Sequence, residues 1–403
     1  MIHRLLKNEL LRLSKAFSVV LLTGPRQSGK TTLCKSAFAD YEYITLENLD
    51  IRAMVQADPL GFLNTHRHGL IIDEAQHLPE LFSYLQVVVD EHKDYRYILS
   101  GSSNFSLLEK ITQSLAGRAA ILRLAPLSIP ELAGFDLSDT DELMLKGFYP
   151  GVWGDGKEPY DVYSNYYATY IERDLRQLIN VRNLGTFQQF VRLLAGSVGN
   201  EFNAAKFANA IGVDLKTIQS WLNVLEASYI VFRLHPYYNN IGKRIVKSHK
   251  VYFYDVGLAC YLLGIENTSQ LSVHPLRGNL FENMVVAEFV KRRLNMGRTP
   301  RLYFYRDSSQ KEIDLIEESA YNSFAAYEIK SAKRYSDEFA KGLDYLTKLY
   351  PEGCKERYVL YDGTSEIASE KVSYLNFRTL LSDNTRAVDE FVEKHEQAIS
   401  ERL

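Results

Sequence analysis

Cysteine is nearly absent: the three present, Cys34, Cys260 and Cys354, lie far apart and none belongs to a CxxC pair. That spacing excludes a disulfide framework and a zinc ribbon, and it predicts a chain suited to a reducing, cytoplasmic setting. Long apolar runs are missing too. The longest early one, Val19-Val20-Leu21-Leu22, is far below the roughly 20 residues a membrane span requires, and no signal-peptide pattern accompanies it. It reads as a buried strand, and no membrane is among the expected partners. Charge of one sign is lacking as well, with 47 Lys and Arg against 50 Asp and Glu for a net of −3. A globally basic nucleic-acid coat and an acidic disordered chain are both excluded, so any nucleic-acid contact must be local. Tryptophan is scarce at 2 residues, which leaves 27 Tyr and 20 Phe to supply the aromatic packing.

What is present is chain length: 403 residues give a prior of two to four domains. Between 17 and 150, the runs FSVVLLTG, YEYITL, HGLIIDEAQ, YRYILSGS and AAILRLAP alternate with helix-period stretches. That rhythm predicts parallel βα units and a sheet covered on both faces. From about 159 to 264 helical patterns take over. From about 276 a helix, FENMVVAEFVKRRL, precedes strands at RLYFYR, EIDLIEE, FAAYEIKSA and RYVLYDG, before a charged, helix-like tail. The expected class is α/β in three parts: a parallel-sheet domain over 1–150, a helical segment over 151–270 and a second α/β module over 271–403.

Strand FSVVLLT runs into Gly24-Pro25-Arg26-Gln27-Ser28-Gly29-Lys30-Thr31, which matches GxxxxGK[ST] with a strand before it and a helix after it. Gly24 and Gly29 let the backbone wrap a phosphate, and the amides from Gln27 to Thr32 point donors at an anion. Lys30 would reach the β and γ phosphates of ATP, and Thr31 would ligate Mg²⁺. The apolar strand Leu70-Ile71-Ile72 ends in Asp73, placed to hold the metal, and Glu74, the candidate general base. A third strand ends at Ser100-Gly101-Ser102, where Ser102 is the candidate to reach the γ phosphate, with a simple turn as the alternative. The phosphate loop alone would also suit a small-molecule kinase, but the second acid, Glu74, favours activation of water.

Residues 17 to 130 resemble the AAA-type ATPases, and LIIDEAQHLPELF with SLAGR before a final strand looks like a bacterial and archaeal branch of them. The resemblance implies an arginine finger or sensor at Arg118, reaching its own or a neighbour's γ phosphate. Acting in trans, it implies a homo-oligomer.

In the middle segment, Asn203 to Asp214 and Leu215 to Leu222 have the pattern of helix, Gly-containing turn and helix, with Ala208, Ile211, Ile218 and Leu222 at core spacing. Lys216, Thr217, Gln219 and Ser220 then fall on or near the outer face of a recognition helix. YIVFRLHPYY and KVYFYDV can pair as a hairpin whose connection holds Lys243, Arg244, Lys247, His249 and Lys250. This outlines a winged helix, either contacting DNA phosphates or serving as a structural lid.

In the last part, Asp314 is followed by Glu328 and Lys330, two apart on one strand and therefore on one face, with Glu282 on the preceding helix and Glu288 as its weaker substitute. Two carboxylates and an ammonium around a divalent metal suit phosphodiester hydrolysis, with Asp314 and Glu328 as ligands; solvated strand faces are the alternative. The order of helix Glu, strand Asp and ExK resembles the resolvase-like PD-(D/E)xK nucleases, which implies a restriction-endonuclease-like fold. Lys291, Arg292, Arg293, Arg298 and Arg301 form a basic cluster beside it, as a nucleic-acid contact or a solvated helix end. The whole order resembles a widespread family of bacterial ATPases whose C-terminal domain has no settled role. The expected function is Mg²⁺-dependent ATP hydrolysis coupled to DNA binding or processing. The alternative is an ATP-controlled switch or scaffold whose nuclease-like domain is inactive and contacts protein partners.

Overall fold

The computed structural model describes residues 2–102, 114–175, 184–238 and 248–381. The five expected N-terminal strands form: β1 (Val19–Gly24), β2 (Glu42–Thr45), β3 (Leu70–Asp73), β4 (Tyr97–Ser102) and β5 (Ala119–Arg123). All run parallel in the order β2-β3-β4-β1-β5. Their residues divide by the period of two. Val19, Leu21, Ile72 and Leu99 face a core shared with Leu81, Phe82 and Leu85 of the helix Leu81–Glu91. Val20, Leu22, Ile71 and Ile98 face Leu6, Leu10 and Leu33 of the helices Leu6–Ala16 and Lys30–Ala37. Burial on both faces explains why these strands read as unbroken apolar runs. Parallel direction also puts Gly24, Asp73 and Ser102 at one edge of the sheet, the edge where open α/β sheets bind ligands.

The expected helix pair of the middle segment is Ala204–Ile211 and Leu215–Ala227. Asn203 and Asp214 cap their N-termini, and Gly212 ends the first in the left-handed region. Ala208, Ile211, Ile218 and Leu222 are buried, while Lys216, Gln219 and Ser220 are exposed. The hairpin forms as β6 (Val231–Pro236) against β7 (Lys250–Phe253), antiparallel.

This hairpin is not a free wing, and its cations differ from expectation. His235 and Pro236 pair in parallel with Tyr303 and Phe304 of β8 (Leu302–Arg306). The strand β8 leads into β9 (Glu312–Ala320), β10 (Ser323–Lys330), β11 (Cys354–Tyr361) and β12 (Ser373–Asn376), giving one sheet of order β12-β11-β10-β9-β8-β6-β7. The expected boundary at 270/271 therefore cuts through a continuous sheet. The helix Arg277–Asn295 packs on it through Phe281, Met284, Val285 and Phe289, in an apolar cluster that runs from Ala125 to Leu381. Lys250 is buried at 2% exposure and so cannot meet a phosphate. His249 stacks on Phe202 with ring centroids 5.6 Å apart, and burial, with Arg233 and His235, pushes its pKa down to about 4. It is uncharged near neutrality. Lys243, Arg244 and Lys247, like the charged tail, lie outside the described residues. No helix among the described residues is long and apolar enough to cross a membrane.

Candidate functional site

The turn after β1 folds as it does because two positions accept only glycine. A Cβ on Gly24 would stand 2.1 Å from the Leu124 carbonyl oxygen, and Gly29 caps the helix Lys30–Ala37 with φ at 91°. Within this turn the Lys30 ammonium is buried and donates to the Gly24 carbonyl at 3.0 Å and the Pro25 carbonyl at 2.8 Å. Burial pushes its pKa down to about 8, against the opposing pull of Glu74 and Asp73. The loop is braced from behind by Arg4, which donates to the Ser28 carbonyl at 2.6 Å, the Ala125 carbonyl at 2.7 Å and Glu131 at 3.0 Å. Glu131 also accepts from the backbone amides of Leu5 and Ser128. Arg4, on the chain entering the first helix, carries no local motif, so the sequence does not single it out.

Three neighbouring strands converge on Asp73. Its Oδ2 accepts from the Thr31 hydroxyl at 2.7 Å and the Tyr43 hydroxyl of β2 at 2.9 Å. Its Oδ1 accepts from the Ser100 hydroxyl of β4 and the Glu74 amide. Glu74 adopts the left-handed region at φ 53° and opens a short 3₁₀ turn, Ala75–His77. The Gln76 amide donates to the Glu74 carboxylate and, at 3.2 Å, to Ser102 Oγ. Ser102 thus stands beside the candidate base through Gln76, and Ser100 takes the contact with Asp73. Tyr43 escaped the sequence reading because only the strand order brings it here, and Gln76 because its contact with Ser102 depends on that order too.

Above the loop lies a cavity of about 1170 Å³, lined by the backbone of Gln27 to Thr32 and by Glu74, with Pro150, Gly151, Val162 and Tyr170 opposite. The Arg26 guanidinium lies 5.5 Å from the Tyr170 ring centroid. The expected boundary at 150/151 therefore crosses the cavity, whose far wall belongs to the middle segment. Loop amides, a buried ammonium and a hydroxyl–carboxylate pair in one concave site can hold a triphosphate and a hard divalent ion.

Arg118 lies elsewhere. It precedes β5, its carbonyl accepts from the Val19 amide at the start of β1, and its guanidinium donates twice to Asp90 at 2.7 Å. The phosphate loop is at the far end of β1, roughly 16 Å away at 3.3 Å per residue. That distance keeps it from the chain's own γ phosphate, and within the chain its partner is Asp90.

In the C-terminal sheet, β9 and β10 bring three of the expected residues together. Lys330 Nζ lies 3.0 Å from Asp314 Oδ2 and 2.6 Å from Glu328 Oε2, and the Ile329 amide donates to Asp314 at 2.7 Å. Lys330 and Lys250 hold the Asp314 carboxyl low despite its burial, whereas burial and the Asp314 charge push Glu328 well up. Glu282 accepts from Tyr252 at 2.6 Å and from Lys250 at 3.2 Å. Burial pushes its carboxyl up to about 7; Lys250 opposes that rise and Asp314 adds to it. Glu288 is no substitute: it pairs with Lys291 at 2.7 Å and accepts from the Ile129 amide. The basic cluster is likewise dispersed. Lys291 is buried on the Leu127 carbonyl, Arg292 pairs with Glu317, and Arg298 and Arg301 are exposed.

Known proteins match the chain in three stretches. A family model described as an AAA domain matches residues 16–133. Two described as domains of unknown function (DUF8612 and DUF4143) match residues 137–269 and 277–380. Uncharacterized proteins of Mycobacterium bovis and Mycobacterium tuberculosis are each 32% identical over 325 residues, covering 77% of this chain and 70% of the relative. An uncharacterized protein of Methanocaldococcus jannaschii is 21% identical over 331 residues, covering 74% of this chain and 71% of the relative. Among solved structures, a Walker-type ATPase of Pyrococcus abyssi is similar at 15% identity and a TM-score of 0.43, over 65% of this chain and 96% of that one.

Proposed function

The chain belongs to the AAA-domain family of its mycobacterial relatives, and from that premise we propose that it binds ATP with Mg²⁺ and hydrolyses it in the cavity above the phosphate loop. The observation that carries this reading is the Thr31–Asp73 hydrogen bond beside the loop amides and Lys30. Thr31 and Asp73 would hold Mg²⁺, which when bound neutralises charge developing on the phosphates. The amides of Gln27 to Thr32 bind the phosphate oxygens, and Lys30 turns its ammonium from the loop carbonyls to them. Glu74 accepts the proton of the attacking water, and Gln76 holds that carboxylate in place alongside Ser102. The middle segment supplies the far wall of the cavity, so closure on nucleotide is transmitted to it. This favours an ATP-controlled switch acting on the rest of the chain.

Turnover measured on the purified chain tests the assignment. Lys30→Ala should abolish nucleotide binding. Glu74→Gln should keep binding and lose about 10²- to 10⁴-fold in turnover, the usual contribution of a positioned general base. Unchanged turnover in Glu74→Gln would sink the reading.

A second reading, contact with DNA, is favoured by the exposed Lys216, Gln219 and Ser220 on the helix Leu215–Ala227. Stimulation of turnover by duplex, branched or single-stranded DNA, lost in Lys216→Glu, is its expected signature. The placement of Arg118 on the opposite edge favours action in trans between copies of the chain. Turnover per chain then rises with protein concentration in the wild type and stays flat in Arg118→Ala.

A further inference from the structure

The C-terminal acids do not fit a divalent metal. A hard ion needs several oxygens converging at 2.0 to 2.6 Å with their lone pairs free. Among the described residues, no three acidic, histidine or cysteine side chains converge into such a ligand set. The carboxylates instead face nitrogen donors. Asp314 receives Lys330 and the Ile329 amide, and Glu328 receives the same lysine. Glu282 and Glu312 both receive Lys250, at 3.2 Å and 2.6 Å. Backbone closes the remaining space. A Cβ on Gly342 would stand 2.4 Å from Glu328 Oε1, and one on Gly199 would stand 3.6 Å from Glu282 Oε1.

Lys250 comes from outside the module that carries the acids. It sits on β7, the edge strand of the seven-stranded sheet, and its stem crosses beneath β8 with the ammonium 5.5 Å from the Phe304 ring centroid. Its side chain is 3% exposed, against 15% for Glu282 and 29% for Glu312, so the ammonium is the most deeply enclosed member of the cluster. An ammonium so enclosed persists only because carboxylates surround it, and removing either partner leaves a buried charge.

We propose that lysines are the resident cations of this acid cluster: Lys250 between Glu282 and Glu312, beside Lys330 on Asp314 and Glu328, takes the place a divalent ion would occupy, and the carboxylates clamp the middle segment's hairpin onto the C-terminal sheet rather than hydrolyse phosphodiesters. The module is then held together without a metal. This goes beyond the nucleotide reading and does not depend on it, since the two sites use different residues.

Manganese binding to the full chain tests the assignment by paramagnetic resonance and calorimetry, without nucleotide. The wild type and Asp314→Asn should take up Mn²⁺ identically. Lys250→Met should gain one Mn²⁺ per chain, bound at least tenfold more tightly than in the wild type, and Lys250→Met/Asp314→Asn should lose it. Uptake by the wild type that disappears in Asp314→Asn overturns the proposal, as does Lys250→Met binding no tighter than the wild type. If Lys250→Met does not fold, the wild type and Asp314→Asn decide the matter between them. ATP turnover in these variants is not part of the readout, so failure of the nucleotide reading leaves the manganese result standing.

Discussion

Lys30 carries an ammonium in a place where water cannot help it. Its pKa of about 8 in the free protein means that near pH 8 half of the molecules hold it neutral. A triphosphate favours the charged form and raises that pKa. Nucleotide binding at pH 8 to 9 should therefore take up a proton, and affinity should fall as pH rises through about 8. Calorimetry in buffers of different ionisation heat measures the uptake, and a binding heat independent of the buffer at pH 8 to 9 would contradict it. The stability of the free chain runs the other way. An unfolded lysine keeps the higher, ordinary value, so the unfolded chain binds more protons between about 8 and that value, and stability rises with pH across this window. Lys30, Thr31 and Asp73 were legible in the sequence because their spacing along the chain is the motif. Arg4 and Tyr43 were not, because each meets its partners across more than twenty residues, and Gln76 was not, because its second partner, Ser102, comes from a neighbouring strand. Arg118 shows the converse: a motif resemblance suggested a role, and the parallel register of β1 and β5 places it at the end of the sheet away from the phosphate loop.

Helix starts show how unequal similar-looking caps can be. Asp214 accepts from the Thr217 amide at 2.9 Å in an exposed setting. Asp255 is buried, accepts from Leu258 at 2.9 Å to start the helix Val256–Leu262, and from Phe148 at 2.6 Å to fix the turn beyond Gly147. Asp214→Ala should cost about 1 kcal/mol, the ordinary value of a cap. Asp255→Ala strands two buried amides and should cost roughly 2 to 4 kcal/mol. Urea unfolding of the two variants side by side checks the ranking; equal losses would show that the second amide finds another partner. At this scale the N-terminal strands were readable because burial on both faces writes continuous apolar runs. The helix pair was readable because caps and Gly212 punctuate it. The allegiance of β6 was not, since a strand's pattern reveals which face is buried but not which edge it pairs with. The strand β12 was missed because four residues carry too little pattern.

Across the whole molecule the helix Arg277–Asn295 is the axis. It contributes Phe281 and Phe289 to the large apolar cluster, Glu288 to the Ile129 amide, and Lys291 to the Leu127 carbonyl, with its ammonium 3.7 Å from the Phe148 ring centroid. Through it the stretch from Ala125 onward, the middle segment and the C-terminal sheet share one core, while the parallel sheet keeps its own two. A chain ending at residue 270 should therefore lose cooperative unfolding, bind hydrophobic dyes and elute as aggregate in gel filtration. A sharp thermal transition and a monomeric elution for that fragment would contradict a shared core. Packing joins the segments after the parallel sheet because their apolar faces cover one another.

The strand β6 completes its pairing only with β8, which the ribosome makes after the whole of the helix Arg277–Asn295 has emerged. At usual synthesis rates that interval is on the order of seconds. During it the nascent hairpin presents an unpaired edge and Lys250 waits without its carboxylates. Translation order thus sets a window in which that edge stays open, and a ribosome slowed between residues 240 and 300 lengthens it.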